Sequence, residues 1–167
     1  MNNFKVLPNF LPNNTHQNIY NILLGNNFPW FYESSVTKEY QSKTIDDFLF
    51  YHHLYSIDQG STSTYFHEIL MPLMGRLQFT QILRGKINLY PKKEKPLQHD
   101  FHIDRQEPHM VALYSVNTNN GYTIFEDGKK INSVANQLII FQGHIKHASS
   151  VQTDKNVRVN ININFLD

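Results

Sequence analysis

Val157-Arg158-Val159-Asn160-Ile161-Asn162-Ile163-Asn164-Phe165 alternates apolar and polar residues without a break. Residues two apart share a face of a strand, so Val157, Val159, Ile161, Ile163 and Phe165 lie on one side and Arg158, Asn160, Asn162 and Asn164 on the other. The apolar side calls for a core. The polar side either meets solvent, as in a half-buried strand, or lines a polar pocket.

Upstream, strand-like runs follow one another from about residue 77: residues 79–83, 86–90, 101–103, 110–116, 122–125, 138–141 and 147–151. Gly85, Pro91, the stretch from Asn117 to Gly121, Asp127-Gly128 and Gly143 supply turn signals between them. Short, regularly spaced strands with such breaks predict a mainly β sandwich or barrel. The N-terminal part has another texture. Phe4-Lys5-Val6-Leu7 reads as an opening strand stopped by Pro8. Pro12-Asn13-Asn14-Thr15 offers N-cap side chains to a helix over 14–24, with Ile19, Ile22 and Leu23 at helical spacing and Gly25 as its stop. Residues 28–32 read as an aromatic strand, 34–43 as a loop and 48–55 as a buried strand. Gly60-Ser61-Thr62-Ser63 can cap a second helix carrying Phe66, Ile69, Leu70 and Leu73, which Pro72 either kinks or cuts short. One domain over 1–167 is expected, with residues 1–76 supporting a β module over 77–167.

Composition narrows the chemistry. Twelve Phe and nine Tyr favour sheets and large packed side chains over a helical bundle. A net charge of +1 carries no nucleic-acid or membrane signature. The chain has no cysteine, which excludes disulfides, thiolate metal sites and a cysteine nucleophile. Any metal must therefore be held by His, Asp or Glu. No apolar run approaches the roughly 20 residues needed to span a bilayer, and the first residues are too polar for a signal peptide. A soluble, cytoplasmic protein is expected.

His102-Ile103-Asp104 is the first chemistry-bearing motif. In an extended run both side chains point to one face, and one further histidine would complete a facial set of two imidazoles and a carboxylate. His99 is the competing first ligand, but it stands five residues from Asp104 and so on the opposite face of a strand. The second histidine is offered by Phe141-Gln142-Gly143-His144-Ile145-Lys146-His147, which contains two candidates. Eleven residues after His147 comes Arg158, whose guanidinium can pair bidentately with a carboxylate one strand away. The remaining polar residues near these motifs have bland readings. His52-His53 diverge across a strand as one core and one surface residue. His109, after Pro108, reads as a solvated loop residue, with the substrate mouth as the alternative. Lys92, Lys93 and Lys95 read as a solvated turn, with an acidic or nucleic-acid substrate as the alternative.

Residues from about 82 to 167 resemble the 2-oxoglutarate- and Fe(II)-dependent dioxygenases, in their prolyl-4-hydroxylase-like branch and closest to small bacteriophage and bacterial members. The resemblance is carried by Asn88-Leu89-Tyr90, His102-Ile103-Asp104, Val111-Ala112-Leu113-Tyr114-Ser115-Val116-Asn117 and Gly121-Tyr122-Thr123-Ile124-Phe125. It continues through Phe141-x-Gly143-x-x-x-His147 and the strand from Arg158 to Phe165. It implies a double-stranded β-helix (jelly-roll) core with supporting N-terminal helices. It also implies His102, Asp104 and His147, rather than His144, as catalytic iron ligands, and Arg158 as the anchor of 2-oxoglutarate. Tyr90, Ser115 and Asn160 are carried over as further co-substrate contacts. Ser115 departs from the pattern, since many members place a tyrosine there; Tyr114 beside it points to the other face. Asn120-Gly121 replaces a usual Gly-Gly. The implied activity is that of an oxidoreductase that hydroxylates a C–H bond with release of succinate and CO2, using Fe(II), 2-oxoglutarate and O2, with ascorbate as a candidate auxiliary reductant. A protein or peptide substrate, such as a peptidyl proline, is favoured; a nucleic-acid substrate is the alternative, and no membrane partner is expected. Two competing classes stand beside this reading: a non-enzymatic jelly-roll module of a phage particle, and a cupin-like metal enzyme that makes no use of Arg158.

Overall fold

In the computed structural model of the chain, which describes residues 4–36 and 48–167, the alternating terminal stretch forms β11 (Val157–Leu166). β11 is an interior strand, paired antiparallel with β5 (Gln81–Pro91) on one side and β6 (Met110–Ser115) on the other. Outward from these lie β9 (Gln137–Gln142) and β1 (Phe4–Leu7) beyond β6, and β3 (Leu49–Ser56) and β2 (Phe31–Glu33) beyond β5. The large sheet thus runs β1-β9-β6-β11-β5-β3-β2, with the two-residue β4 (Gly60–Ser61) paired to β3. A small sheet, in the order β10-β7-β8, holds β7 (Tyr122–Phe125), β8 (Lys130–Asn132) and β10 (His147–Ser149).

The middle of the large sheet is covered on both faces, each for its own reason. Its outer face presents Ile87, Val159, Ile161, Ile163, Ala112, Tyr114 and Leu138. These pack under α1 (Asn13–Leu23), through Ile19 and Leu23, and under a π-helical turn (Phe66–Leu70) that runs into α2 (Met71–Met74), through Ile69, Leu70, Leu73 and Met74. Each such aliphatic side chain contributes about 1.5–3 kcal/mol on burial. The inner face is divided. On its β6–β9 half, Val111, Leu113, Ile139 and Phe141 pack against Phe125 of the small sheet. On its β5–β11 half the residues are polar, and register sets them in four cross-strand pairs: Tyr90 opposite Arg158, Asn88 opposite Asn160, Lys86 opposite Asn162 and Arg84 opposite Asn164. The apolar half closes the two sheets into a double-stranded β-helix, the jelly-roll core expected from sequence. The polar half leaves a cavity between them.

Several local expectations change. The runs 79–83 and 86–90 are one strand, because Gly85 is not a turn. A Cβ there would stand 2.7 Å from Leu70 Cδ2, so glycine lets the π-helical turn lie directly on β5. Residues 101–103 form no strand; Gln98–Ser150 and His102–His147 are isolated bridges along the edge of β10. The 28–32 run yields only β2 at its end, and of the 34–43 loop only residues 34–36 fall within the described residues. The helix over 66–73 is split: Pro72 occupies the first turn of α2, where a missing N–H costs nothing, and the wide π turn precedes it. No side chain caps α1, since Asn14 Oδ1 instead accepts the Thr15 N–H. Among the described residues no helix is long and apolar enough to cross a membrane.

Candidate metal centre

His102 and His147 exchange both backbone hydrogen bonds, each N–H to the other's carbonyl at 3.0 Å. A reciprocal pair of this kind puts the two side chains on the same side, and their ring centroids are 4.7 Å apart. Nδ1 of His102 faces Asp100 O at 3.3 Å and Nδ1 of His147 faces Ile145 O at 3.2 Å. A carbonyl can only accept, so Nδ1 donates in both rings and Nε2 keeps the lone pair a metal needs. Burial pushes His147 down, which favours the neutral, ligating form.

Asp104 follows in a bend and reaches across to the large sheet. Its Oδ1 accepts from Arg84 Nη2 at 3.0 Å, and its Oδ2 accepts from Asn162 Nδ2 and Asn164 Nδ2, each at 3.0 Å. Burial pushes this carboxyl up, but the Arg84 guanidinium, His147, the Asn162 amide and His102 together outweigh it and hold the group well below the usual carboxylate range. The ligating atoms of His102, Asp104 and His147 all lie within 4.8 Å of one another. Two candidate ligands therefore come from the small-sheet side, while the third is fixed to the large sheet.

A cavity of about 300 Å³ opens beside this set, walled by Tyr90, Thr123, Ser149, Asn88 and Asn160 towards one end and by Arg84 and Lys86 towards the other. Behind Tyr90 and Thr123 lies Arg158, 2% exposed. Its guanidinium donates to Ser133 Oγ at 2.8 Å, Ser150 O at 3.2 Å and Thr123 Oγ1 at 3.3 Å, and its Cζ stands 5.3 Å from the Tyr90 ring centroid. Among the described residues no carboxylate pairs with it. Gly121 makes room for its stem, since a Cβ there would stand 2.8 Å from Arg158 Cδ. Only the second glycine of the usual pair is required; Asn120 instead ties the turn to Thr153 and Asp154. Tyr90 also stacks on His99, with centroids 5.6 Å apart. His99 faces Ser149 Oγ at 2.7 Å and is pushed down to about 4, first by burial and then by Arg158 and His102.

The structure brings His102, Asp104, His147, Tyr90 and Asn160 to one cavity, with Arg158 directly behind it. Ser115 lies opposite Asn160 in register and is buried, but it is not part of the cavity wall. Tyr114 does point to the other face, where its hydroxyl meets His16 Nδ1 at 2.7 Å and Asn136 Oδ1 at 3.0 Å. His144 is an exposed turn residue, and His99 belongs to the Tyr90 end of the site rather than to the ligand set. His52 is buried between Pro29 O and Ser63 Oγ while His53 is exposed. Lys92, Lys93 and Lys95 do not line the cavity, and Lys93 lies over the Phe48 ring. His109 is a correction: it is buried, not solvated, with its ring laid on Gly143 where no Cβ could fit. Gly143 N–H donates to His109 O, so this contact fixes the turn that leads into His147. Sequence reasoning missed Arg84, Asn162 and Asn164 around Asp104, and Thr123, Ser133 and Ser150 around Arg158. The polar face of the terminal strand was the signal for the two asparagines. Arg84 became visible only through its register opposite Asn164.

No protein-family model and no curated protein matches the sequence. Solved structures do match in fold. A prolyl hydroxylase of Trichoplax adhaerens, solved in complex with a hypoxia-inducible-factor oxygen-degradation-domain peptide, is 16% identical with a TM-score of 0.64, over 100% of this chain and 84% of that one. An oxidoreductase of the 2OG-Fe(II) oxygenase family from Burkholderia pseudomallei is 11% identical with a TM-score of 0.70, over 98% and 85% of the two chains. A prolyl-4-hydroxylase of Pseudomonas putida is 13% identical with a TM-score of 0.59, over 99% and 93%. The chain therefore has the double-stranded β-helix fold of the 2-oxoglutarate- and Fe(II)-dependent oxygenases, prolyl hydroxylases among them.

Proposed function

We propose that this protein is an Fe(II)- and 2-oxoglutarate-dependent dioxygenase that hydroxylates a C–H bond of a peptide or protein side chain, with a prolyl residue as the first candidate. The observation that carries the proposal is a pair of features at one cavity: three clustered ligating side chains, and a buried guanidinium with no carboxylate partner among the described residues. The residues fit the groups the reading requires. Two neutral imidazoles and one carboxylate suit a divalent iron and leave positions open on it. Arg158 would take the far carboxylate of 2-oxoglutarate, held in place by Ser133, Thr123 and the Ser150 carbonyl, with Tyr90 over its face. Asn88 and Asn160, hydrogen-bonded to each other at 3.1 Å, would line the path between the two ends.

When bound, iron and 2-oxoglutarate supply the oxidising chemistry, with O2 consumed and succinate and CO2 released as the substrate gains a hydroxyl. The protein's own share is orientation and exclusion of water. The peptide reading takes support from the Trichoplax relative, whose structure contains a peptide. The test is an anaerobic calorimetric titration of 2-oxoglutarate into Mn(II)-loaded protein. One site per chain is expected. A protein that binds neither metal nor 2-oxoglutarate is a non-enzymatic jelly roll, and one that binds metal alone belongs with the cupin-like enzymes.

A further inference from the structure

An ionised carboxylate offers about four acceptor sites, two on each oxygen. In Asp104, Asn162 Nδ2 and Asn164 Nδ2 occupy both sites of Oδ2, and Arg84 Nη2 occupies one site of Oδ1, all at 3.0 Å. One site is left, on the oxygen that already carries the arginine. A carboxylate restrained in this way can give a cation one lone pair and not two.

We propose that Arg84 is a positioning residue that keeps Asp104 a one-oxygen ligand and offsets its charge, so that a bound metal stays open and fully charged towards a dianionic co-substrate. The proposal rests on the reading of His102, Asp104 and His147 as metal ligands. Two imidazoles and one carboxylate lend a divalent cation a single negative charge, and Arg84 cancels that charge at ion-pair distance. Arg84 holds this place with its own Nε buried and without a hydrogen-bond partner among the described residues. The contact that the guanidinium does make is the one to Asp104, at 3.0 Å. Arg84 does not share the work of Arg158. In register it stands opposite Asn164, whereas Arg158 stands opposite Tyr90, six residues along β5 and so about 20 Å away. Arg84 therefore acts on a co-substrate through Asp104 and the metal.

Two opposed effects follow. Arg84 repels the cation and weakens metal binding. By sparing the cation's charge and its open positions, it strengthens binding of a dianion. A residue that merely stabilised the site would strengthen both.

The experiment compares wild type with Arg84→Met and Arg84→Lys by titration of Mn(II) alone, and then of 2-oxoglutarate into each Mn(II)-saturated protein under anaerobic conditions. For Arg84→Met, the Mn(II) Kd should fall at least threefold while the 2-oxoglutarate Kd rises at least tenfold. Arg84→Lys, which keeps the charge, should restore most of the 2-oxoglutarate affinity. Both affinities of Arg84→Met moving in the same direction, or neither moving, would overturn the proposal, as would a lysine variant no better than methionine. If Arg84→Met does not fold, Arg84→Gln, which keeps a donor but no charge, is held to the same opposed shifts. A wild type that fails to bind Mn(II) at all overturns the ligand reading instead.

Discussion

Replacing Arg158 by Met separates what the residue does for the fold from what it does for a ligand. The guanidinium is fully buried and donates to three uncharged acceptors, Ser133 Oγ, Ser150 O and Thr123 Oγ1. Taking the cation out of water costs several kcal/mol. Hydrogen bonds that involve a charged group return about 1.5–3 kcal/mol each. These nearly cancel, and methionine fills most of the space of the arginine stem. The metal-free variant should therefore unfold within about 1 kcal/mol of wild type, a change in Tm of about 2–4 °C. A carboxylate bound to the same group alters the balance. Truncating one partner of a buried, hydrogen-bonded charge pair costs about 2–5 kcal/mol. At about 1.4 kcal/mol per decade, the Kd for 2-oxoglutarate should rise about 30-fold to several-thousand-fold. Anaerobic calorimetry on Mn(II)-loaded wild type and variant reads this directly, with the Mn(II) titration as control. A 2-oxoglutarate Kd within threefold of wild type would remove Arg158 from the co-substrate site. A parallel loss of Mn(II) affinity would mean that the substitution acts through the fold.

Three further outcomes are expected. His102→Ala and Asp104→Ala should each reduce Mn(II) affinity by more than the roughly 10–100-fold that losing an outer-shell partner costs, and should abolish substrate-free conversion of 2-oxoglutarate to succinate; retained turnover would sink the ligand assignment. Gly143→Ala should cost about 1–3 kcal/mol, or roughly 2–12 °C in Tm, because its methyl group would enter the His109 ring. The cost should shrink in a His109→Ala background, and an unchanged melting curve in the single variant would contradict the packing. The third concerns pH. His99 is held neutral to about 4 in the folded protein, mainly by burial, whereas in the unfolded chain it protonates near the ordinary histidine value of 6.5. Its contribution is therefore complete above pH 6.5 and is lost as the pH falls towards 4, by about 1.4 kcal/mol per unit and about 3 kcal/mol in all. Urea unfolding of metal-free protein across this range should show a shallower decline in His99→Phe than in wild type; equal slopes would count against the buried neutral imidazole.

Much of the β core was legible because β6, β7 and β9 are short apolar runs between turn signals, and because β11 alternates apolar and polar residues every two positions. Misreadings came where a residue answers to a distant neighbour. Gly85 looked like a turn because its need for glycine comes from Leu70, far off in the chain. Residues 101–103 looked like a strand because their composition suits one, yet only His102 finds a bridge partner, at the edge of β10. His109 looked solvated because it follows a proline; it is buried by Gly143, which the sequence places well downstream.

What the sequence determined by itself was the kind of chemistry available. With no cysteine present, any metal had to rest on imidazole and carboxylate; His102 and Asp104 share a strand face, and the family resemblance singled out His147 as the third candidate ligand and Arg158 as the candidate anion anchor. Only the tertiary structure decided how those groups are held. The reciprocal bridge between His102 and His147 sets two imidazoles side by side. The antiparallel register of β5 and β11 turns a row of asparagines into a wall that faces inward, and delivers Arg84 to Asp104. Alternation along one strand says which side chains share a face. Which face is buried, and which residue of another strand stands opposite, is a property of pairing between distant segments, and no local pattern encodes it.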